Sequence, residues 1–192
     1  MIIIIIFIAH WYSSLFFQTV FLHRYASHKM FELSPFWQKF FYIMTFVTQG
    51  TSFLNPSAYA RLHNLHHEHS DRPEDPHSPH QNKNLLSMMW STFLTYESFV
   101  KDKIKIPRRF RFKAFEKMDA FTDLWSIRLS WILVYAAFYY VFAPHPIYYL
   151  LIPVHMMMGP IQGAIVNWCG HKYGYRNFNY SNSMDTSYIL YI

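Results

Sequence analysis

The sequence His63-Asn-Leu-His-His67 has the spacing HxxHH. Positions i, i+3 and i+4 lie on one face of an α-helix, so the three imidazoles of this segment would project toward one point. Imidazole nitrogen is a good ligand for iron, copper and zinc. The segment therefore predicts a helix that presents three metal ligands.

Two further clusters lie far from this segment in the chain. In HRYASH, His23 and His28 are five residues apart, about 140° around an α-helix, so they converge only if the helix bends or ends between them. In NWCGH, Asn167 and His171 are i, i+4 neighbours. Together the clusters supply seven nitrogen or oxygen ligands, which could hold more than one metal ion. The single cysteine, Cys169, excludes an internal disulfide and a cysteine-based zinc site.

Three apolar segments are long enough to cross a bilayer: residues 1–22, 125–143 and 147–168. Residues 1–22 carry no Asp, Glu, Lys or Arg, and as a helix they extend about 33 Å. The turn Pro144-His-Pro146 would join the second and third segments into a hairpin. Proline and glycine at positions 153, 159 and 160 predict a bend in the third segment. Within these segments we expect His10 and His155 to be packed and hydrogen-bonded, although an ionisable group in a membrane is a functional candidate by default.

The basic residues give these segments an orientation. All 17 Lys and Arg lie in residues 24–128 or 172–176, which the positive-inside rule places in the cytoplasm. All three histidine clusters then emerge at one membrane face. Residues 35–54 are apolar, but a crossing there would separate the first cluster from the second. We therefore expect an amphipathic or re-entrant helix at the cytoplasmic interface.

The segments HRYASH, HNLHHEHSDRPEDPHSP and NWCGHKYGYRNF resemble, in order and spacing, the membrane fatty acid desaturases. The resemblance covers about residues 10–178, nearly the whole chain. The sequence Asp75-Pro-His-Ser-Pro79 is similar to the acyl-CoA branch of that family, the stearoyl-CoA or delta-9 type, and bacterial members look especially similar.

The resemblance implies an all-α integral membrane protein with one desaturase domain over residues 1–192. Its spans would be residues 1–22, 125–143 and 147–168, with an interfacial helix at 35–54. A cytoplasmic helical cap, residues 23–124 and 169–192, would hold two iron ions. The implied iron ligands are His23, His28, His63, His66, His67, His171 and, through a bound water, Asn167. Arg61 would contact the charged head of an acyl thioester, or form a salt bridge within the cap.

The implied activity is the oxygen-dependent introduction of a cis double bond, of delta-9 type, into a saturated acyl-CoA or acyl lipid. No catalytic residue beyond the metal ligands is implied. Electrons would come from a cytochrome b-type, ferredoxin or rubredoxin carrier and its reductase, and no nucleic acid is involved. The implied location is the bacterial inner membrane, with the active site on the cytoplasmic face. Four acidic residues near the second cluster would orient imidazoles through their second nitrogen, or be ordinary loop charges: Glu68, Asp71, Glu74 and Asp75.

Three alternatives remain open. A membrane di-iron hydroxylase of alkanes or lipids uses similar histidine clusters. A metal-binding or transport protein would need polar groups along a path through the bilayer, and the apolar segments carry few. An inactive fragment is the third alternative. The family has another HxxHH segment after the region that ends here at Ile192, and usually a further span before the helix that carries the first cluster, so we expect truncation at both ends.

Overall fold

A computed structural model of the chain describes residues 1–173. Within that range all regular secondary structure is helical, and the structure therefore confirms the all-α class. Eight helices have seven or more residues: α1 Ile2–Ser27, α2 Pro35–Gln49, α3 Pro56–Glu68, α4 Leu85–Val100, α5 Glu116–Thr122, α6 Trp125–Phe142, α7 Pro146–Met156 and α8 Met158–Lys172.

Two of these helices, α1 and α6, are long and apolar enough to cross a membrane. The helices α7 and α8 pass the same test only if they are counted as one bent span, with the break at Met157. Large apolar side chains on α6 point outward, as Leu133 (72% exposed) shows. Such an apolar surface is stable in lipid but unfavourable in water. A helix also satisfies its own backbone hydrogen bonds, which lipid cannot do.

The chain divides into two compact units. The first unit comprises Met1–Pro56 and Phe112–Gly159. The second unit comprises Ser57–Arg111 and, of the described residues, 160–173. The apolar helices α1, α6 and α7 belong to the first unit, and α3 and α4 belong almost entirely to the second.

Aromatic side chains fill the core of the first unit, where α1 packs against α2. Phe21 on α1 stacks on Tyr25 at 5.4 Å between ring centroids and meets the edge of Phe115 at 5.7 Å. Tyr42 on α2 is buried between Phe53 and Phe115, with centroids 5.3 and 4.9 Å away. Aromatic pairs in such offset and edge arrangements stabilise beyond their buried area, by about 0.5–1.5 kcal/mol each.

Helix α2 has two different faces. Phe36 and Trp37 are 69% and 48% exposed, whereas Tyr42, Thr45 and Gln49 are buried. Its 15 residues extend about 22 Å, which is shorter than a bilayer core of about 30 Å. These properties agree with a helix that lies at the interface, and its topology stays a prediction.

Helix α2 ends at a glycine that the packing requires. Gly50 has φ +52° and ψ −119°, a conformation that other residues rarely adopt. A Cβ atom at this position would lie 2.0 Å from the hydroxyl oxygen of Tyr135 on α6. The glycine therefore allows the close approach between the end of α2 and α6.

A polar network lies beside this core, outside the apolar part of α6. Arg128, the only charged residue of α6, donates to a carboxylate oxygen of Asp123 at 2.8 Å and to the Phe53 carbonyl at 2.7 Å. The hydroxyl of Tyr42 donates to Asp119 at 2.7 Å. The network thus pairs the buried Arg128 with Asp123, whereas Asp119 contacts the neutral Tyr42.

Candidate metal centre

His66 on α3 forms a buried pair with Asp75. Its Nδ1 lies 2.9 and 3.0 Å from the two carboxylate oxygens of Asp75, and the side chain is almost fully buried. A carboxylate can only accept, so Nδ1 carries the proton and Nε2 is left as a bare base. That Nε2 atom is buried and has no hydrogen-bond partner among the described residues.

His171 on α8 repeats this arrangement with a second aspartate. Its Nδ1 donates to Asp71 at 3.2 Å, the residue is fully buried, and its Nε2 likewise lacks a partner in residues 1–173. The ring centroids of His66 and His171 are 4.9 Å apart. Two neighbouring imidazoles therefore each present a bare, buried nitrogen.

These orphaned nitrogens point to a bound metal. A buried polar atom without a partner costs about 1–3 kcal/mol, and a bound metal ion would offset this cost for both nitrogens. A metal ion suits them because the bare imidazole nitrogen is a Lewis base. Metal-binding histidines typically donate their other N–H to a carboxylate, which fixes the tautomer and raises the basicity of the ligand nitrogen. The residues present therefore fit a metal ion.

The segment Asp75-Pro-His-Ser-Pro79 holds both aspartates in place. The two oxygens of Asp75 accept backbone N–H groups from His77 and Asp71, each at 2.9 Å. The hydroxyl of Ser78 donates to Asp71 at 2.9 Å. Asp71 itself has φ +61°, a left-handed conformation that Asp tolerates better than most residues. This short segment thus sets the positions of both carboxylates that contact imidazoles.

The electrostatics favour ionised aspartates. Burial tends to raise the pKa of Asp75, but the hydrogen bonds from His66 and from the backbone of Asp71 and His77 help to lower it overall. Burial also tends to raise the pKa of Asp71, and the hydrogen bonds from His171 and Ser78 lower it overall. His77, whose ring packs 5.5 Å from His66, has its pKa lowered to about 3, chiefly by burial. Neutral His77 donates through Nδ1 to Thr92 at 3.1 Å, because the Thr92 hydroxyl gives its own proton to the Pro76 carbonyl.

His63 and His67 lie side by side on α3. Their Nε2 atoms are 2.9 Å apart, and the ring of Tyr59 stacks on His63 at 5.8 Å. The centroids of His63 and His67 lie 6.4 and 5.5 Å from that of His66. Helical spacing therefore gathers the three imidazoles of the HxxHH segment in the second unit.

His23 and His28 come together in the first unit for a different reason than the sequence indicated. Residues Gln18–Ser27 of α1 are π-helical, and the N–H of His28 donates to the carbonyl of His23, five residues back, at 3.0 Å. This wider turn places positions i and i+5 on one face, and the two Nε2 atoms are 3.1 Å apart. The bend expected from α-helical geometry is unnecessary. π-Helical segments are rare and often lie at functional sites.

Arg61 and Glu68 form an ion pair rather than contacting an imidazole. The Arg61 guanidinium donates to Glu68 at 2.8 Å, and Arg109 donates to the other Glu68 oxygen at 2.8 Å. The hydrogen bond from Arg61 lowers the pKa of Glu68. Asn167 is half-buried in the π-helical segment Ile165–Cys169, four residues before His171.

Some residues of this centre were not expected from the sequence. His77 and Ser78 belong to the Asp-Pro-His-Ser-Pro segment, whose signal was available, but their contacts depend on the loop conformation. His80 donates through Nε2 to the carbonyl of His171 at 3.1 Å, a contact between residues 91 positions apart. No local sequence pattern indicates that contact.

The fold and site define a helical membrane protein with buried histidine–aspartate pairs suited to a metal. The family model described as Fatty acid desaturase matches residues 1–191, and the chain belongs to this family. Searches of curated proteins and of solved structures found no significant match. Membership makes the protein an oxidoreductase of a family that generally uses a di-iron centre and acts on fatty acyl substrates with electron-transfer partners.

Proposed function

We propose that this chain is an oxygen-dependent fatty acyl desaturase that introduces a cis double bond, at the delta-9 position, into a saturated acyl-CoA or acyl lipid. The bacterial inner membrane is the proposed location, with the histidine clusters on the cytoplasmic face. The observation that carries the proposal is the pair of bare, buried Nε2 atoms of His66 and His171 in a chain of the desaturase family.

Two iron ions are the proposed cofactor, and oxygen is the co-substrate. The proposed iron ligands are those that the resemblance to the membrane fatty acid desaturases implies: His23, His28, His63, His66, His67, His171 and, through a bound water, Asn167. When bound, iron would supply the oxygen activation that the removal of two hydrogens from adjacent methylenes requires. The proposed electron donor is a cytochrome b-type, ferredoxin or rubredoxin carrier.

The protein's own part in this chemistry is orientation. Asp75 and Asp71 hold the Nδ1–H of His66 and His171, so that Nε2 of each ring stays unprotonated. Burial of both rings keeps water away from these nitrogens. A ligand set that is fixed before the metal binds loses less entropy on binding.

The acyl-CoA branch is supported by the Asp-Pro-His-Ser-Pro segment and by the charge near Arg61. Arg61 and Arg109 share Glu68, so the three side chains carry one net positive charge. A positive group of this kind suits the negatively charged head of an acyl thioester. Arg61 is the proposed contact.

Product analysis after expression of the full chain tests the proposal. Fatty acids from cells that express the wild-type chain, His66→Ala or His145→Ala would be converted to methyl esters and separated by gas chromatography with mass detection. We expect a new monounsaturated acid with the wild type and His145→Ala, and none with His66→Ala. A hydroxylated lipid without an alkene would contradict desaturation and support the hydroxylase alternative.

A further inference from the structure

A continuous series of hydrogen-bonded side chains lies inside the first unit and includes none of the proposed metal ligands. The hydroxyl of Tyr139 on α6 is 2.8 Å from Nε2 of His155 on α7. Nδ1 of His155 is 2.7 Å from Nδ1 of His10 on α1. His10 also forms a hydrogen bond with the backbone of Thr48 on α2. Four helices thus contribute to one chain of polar contacts, and Tyr139 and His155 are only 1% and 3% exposed.

The direction of every hydrogen bond in this chain follows from its last member. The Thr48 backbone group that contacts His10 favours protonated His10, so it is the carbonyl, and it accepts the proton of the His10 nitrogen that does not face His155. Neutral His10 then has a bare Nδ1, and His155 must donate to it through its own Nδ1–H. His155 is left with a bare Nε2, which accepts the phenolic proton of Tyr139. The chain therefore runs one way, from Tyr139 to His155 to His10 to Thr48.

The surroundings of this chain are aromatic. Tyr135 stacks on His155 with centroids 5.3 Å apart, and Trp131 lies 6.1 Å from Tyr135. The edge of Phe7 meets the His155 ring at 5.2 Å. Helix α7 contains no charged residue, so no carboxylate on that helix can neutralise a proton gained by His155. A polar chain in such an apolar environment is a functional candidate in a membrane protein.

We propose that Tyr139 is a redox-active tyrosine whose oxidation is coupled to proton movement along His155 and His10. A one-electron oxidant, of the class that an oxygen-activating metal enzyme generates, removes one electron from the phenol and is itself reduced by one electron. The O–H bond of Tyr139 breaks as an N–H bond forms at Nε2 of His155. The Nδ1–H bond of His155 breaks as a new one forms at Nδ1 of His10. The products are a neutral phenoxyl radical and a His10 imidazolium that still donates to Thr48.

The second histidine distinguishes this arrangement from a simple interhelical contact. Loss of an electron makes a phenol strongly acidic, so its proton needs a base that is already aligned. One buried imidazole would then have to hold the whole charge in an apolar setting, which is unfavourable. His10, which is half-buried and bound to a carbonyl, can take that charge instead. The tyrosine would accept an oxidising equivalent when no acyl substrate is bound. Only the physiological oxidant depends on the proposed desaturase function.

Photochemical oxidation with an external reagent tests this inference without iron. The detergent-solubilised full chain would be illuminated with a ruthenium polypyridyl sensitiser and a sacrificial electron acceptor, frozen, and examined by electron paramagnetic resonance. We expect a tyrosyl radical that is lost in Tyr139→Phe and retained in Tyr140→Phe. Tyr140 is the matched control, because it is the next residue of α6 and is 82% exposed. A radical of unchanged yield in Tyr139→Phe would overturn the proposal.

A second measurement needs no substitution at the tyrosine. In the wild type after exchange into D2O, electron–nuclear double resonance should detect an exchangeable deuteron hydrogen-bonded to the radical oxygen. That coupling should disappear in His155→Leu, whose side chain has no N–H group, and the radical yield should fall in His10→Gln. A wild-type radical without an exchangeable coupling would also overturn the proposal. Because no iron or acyl substrate is present, failure here leaves the desaturase test unaffected, and the reverse holds equally.

Discussion

Asp75 accepts three N–H groups at once: Nδ1–H of His66 at 2.9 Å and the backbone N–H groups of Asp71 and His77, also at 2.9 Å. Both carboxylate oxygens therefore face donors on the inner side of the second unit. The side chain is fully buried, so water cannot replace any of these donors. This environment makes Asp75 the most sensitive test of how His66 is positioned.

Asp75→Asn should weaken metal binding. In either orientation of the amide, its NH2 group faces one of the two backbone N–H groups, so at least one accepted bond is lost. Loss of the carboxylate also lowers the basicity of His66. Removal of such a partner typically reduces metal affinity by about 10–100-fold. Titration with Fe(II), or with Co(II) as a spectroscopic substitute, measures the change.

Glu74→Gln is the control for this substitution. Glu74 is the neighbouring acid in the chain and is exposed, so the same change of charge should leave the metal affinity unaltered. Equal losses in both variants would mean that general electrostatics, rather than the contact with His66, supports the metal.

Gly50→Ala should destabilise the protein strongly. The new Cβ would overlap the hydroxyl of Tyr135, and the backbone conformation is unfavourable for alanine. Strain and overpacking together should cost about 2–4 kcal/mol. The melting temperature in detergent measures this loss. Tyr135→Phe in the Gly50→Ala background should recover part of it, because the overlapping oxygen is removed.

Gly163→Ala is the matched control for the glycine. A Cβ atom at this helical position meets no atom within 4 Å, so alanine fits without a clash. Alanine also restricts the unfolded chain, which stabilises a helix by about 0.5–1 kcal/mol. A Gly163→Ala variant as unstable as Gly50→Ala would refute the steric argument.

Asp119 should make the protein less stable as the pH rises toward neutrality. Burial raises the pKa of Asp119 to about 7, and the charge of Asp123 adds to this, although the hydrogen bond from Tyr42 opposes it. The folded state then holds a proton that the unfolded state releases above its ordinary pKa of 3.8. The free energy of unfolding should therefore fall between about pH 4 and pH 7, by up to roughly 4 kcal/mol.

Asp119→Asn should remove most of this pH dependence, since the amide does not titrate. Melting temperatures between pH 4.5 and 7.5 should show a flatter slope for the variant than for the wild type. Glu116→Gln, on the same helix but exposed and only a small contributor to the pKa of Asp119, should keep most of the wild-type slope. Parallel slopes for wild type and Asp119→Asn would show that Asp119 is already ionised at low pH in the folded protein.

The two ends of α2 should lie on the same side of the membrane. In a Cys169→Ser background, Glu32→Cys and Glu74→Cys place single thiols at exposed positions before and after the helix. Both should react with a membrane-impermeant maleimide from the cytoplasmic side only. His145→Cys, in the turn between α6 and α7, should react from the opposite side. Glu32→Cys and Glu74→Cys labelled from opposite sides would show that α2 crosses the bilayer.

The sequence predicted the parts of the site that depend on helical periodicity. The HxxHH spacing places His63 and His67 side by side on α3, since i and i+4 share a face. Of the acids expected either to orient imidazoles or to be loop charges, Asp71 and Asp75 contact His171 and His66, whereas Glu68 binds Arg61 and Arg109. Sequence spacing alone could not show which of these acids contact imidazoles and which bind arginines, because their partners depend on the conformation of residues 69–84.

Other features depend on geometry that the sequence did not show. In an α-helix, His23 and His28 would lie on different faces. The π-helical turn over Gln18–Ser27 brings them onto the same face. His10 and His155 are 145 residues apart and belong to no shared motif, so their hydrogen bond could be seen only in the folded chain. The expected packed and hydrogen-bonded state of both is nevertheless found.

The iron content of the purified chain tests the central claim most directly. Iron per chain would be measured by inductively coupled plasma mass spectrometry for the wild type, His66→Ala and the exposed control His145→Ala. We predict bound iron in the wild type and in His145→Ala, and loss of iron from His66→Ala. A wild-type chain that binds no iron, or a His66→Ala variant that binds as much as the wild type, would contradict the account.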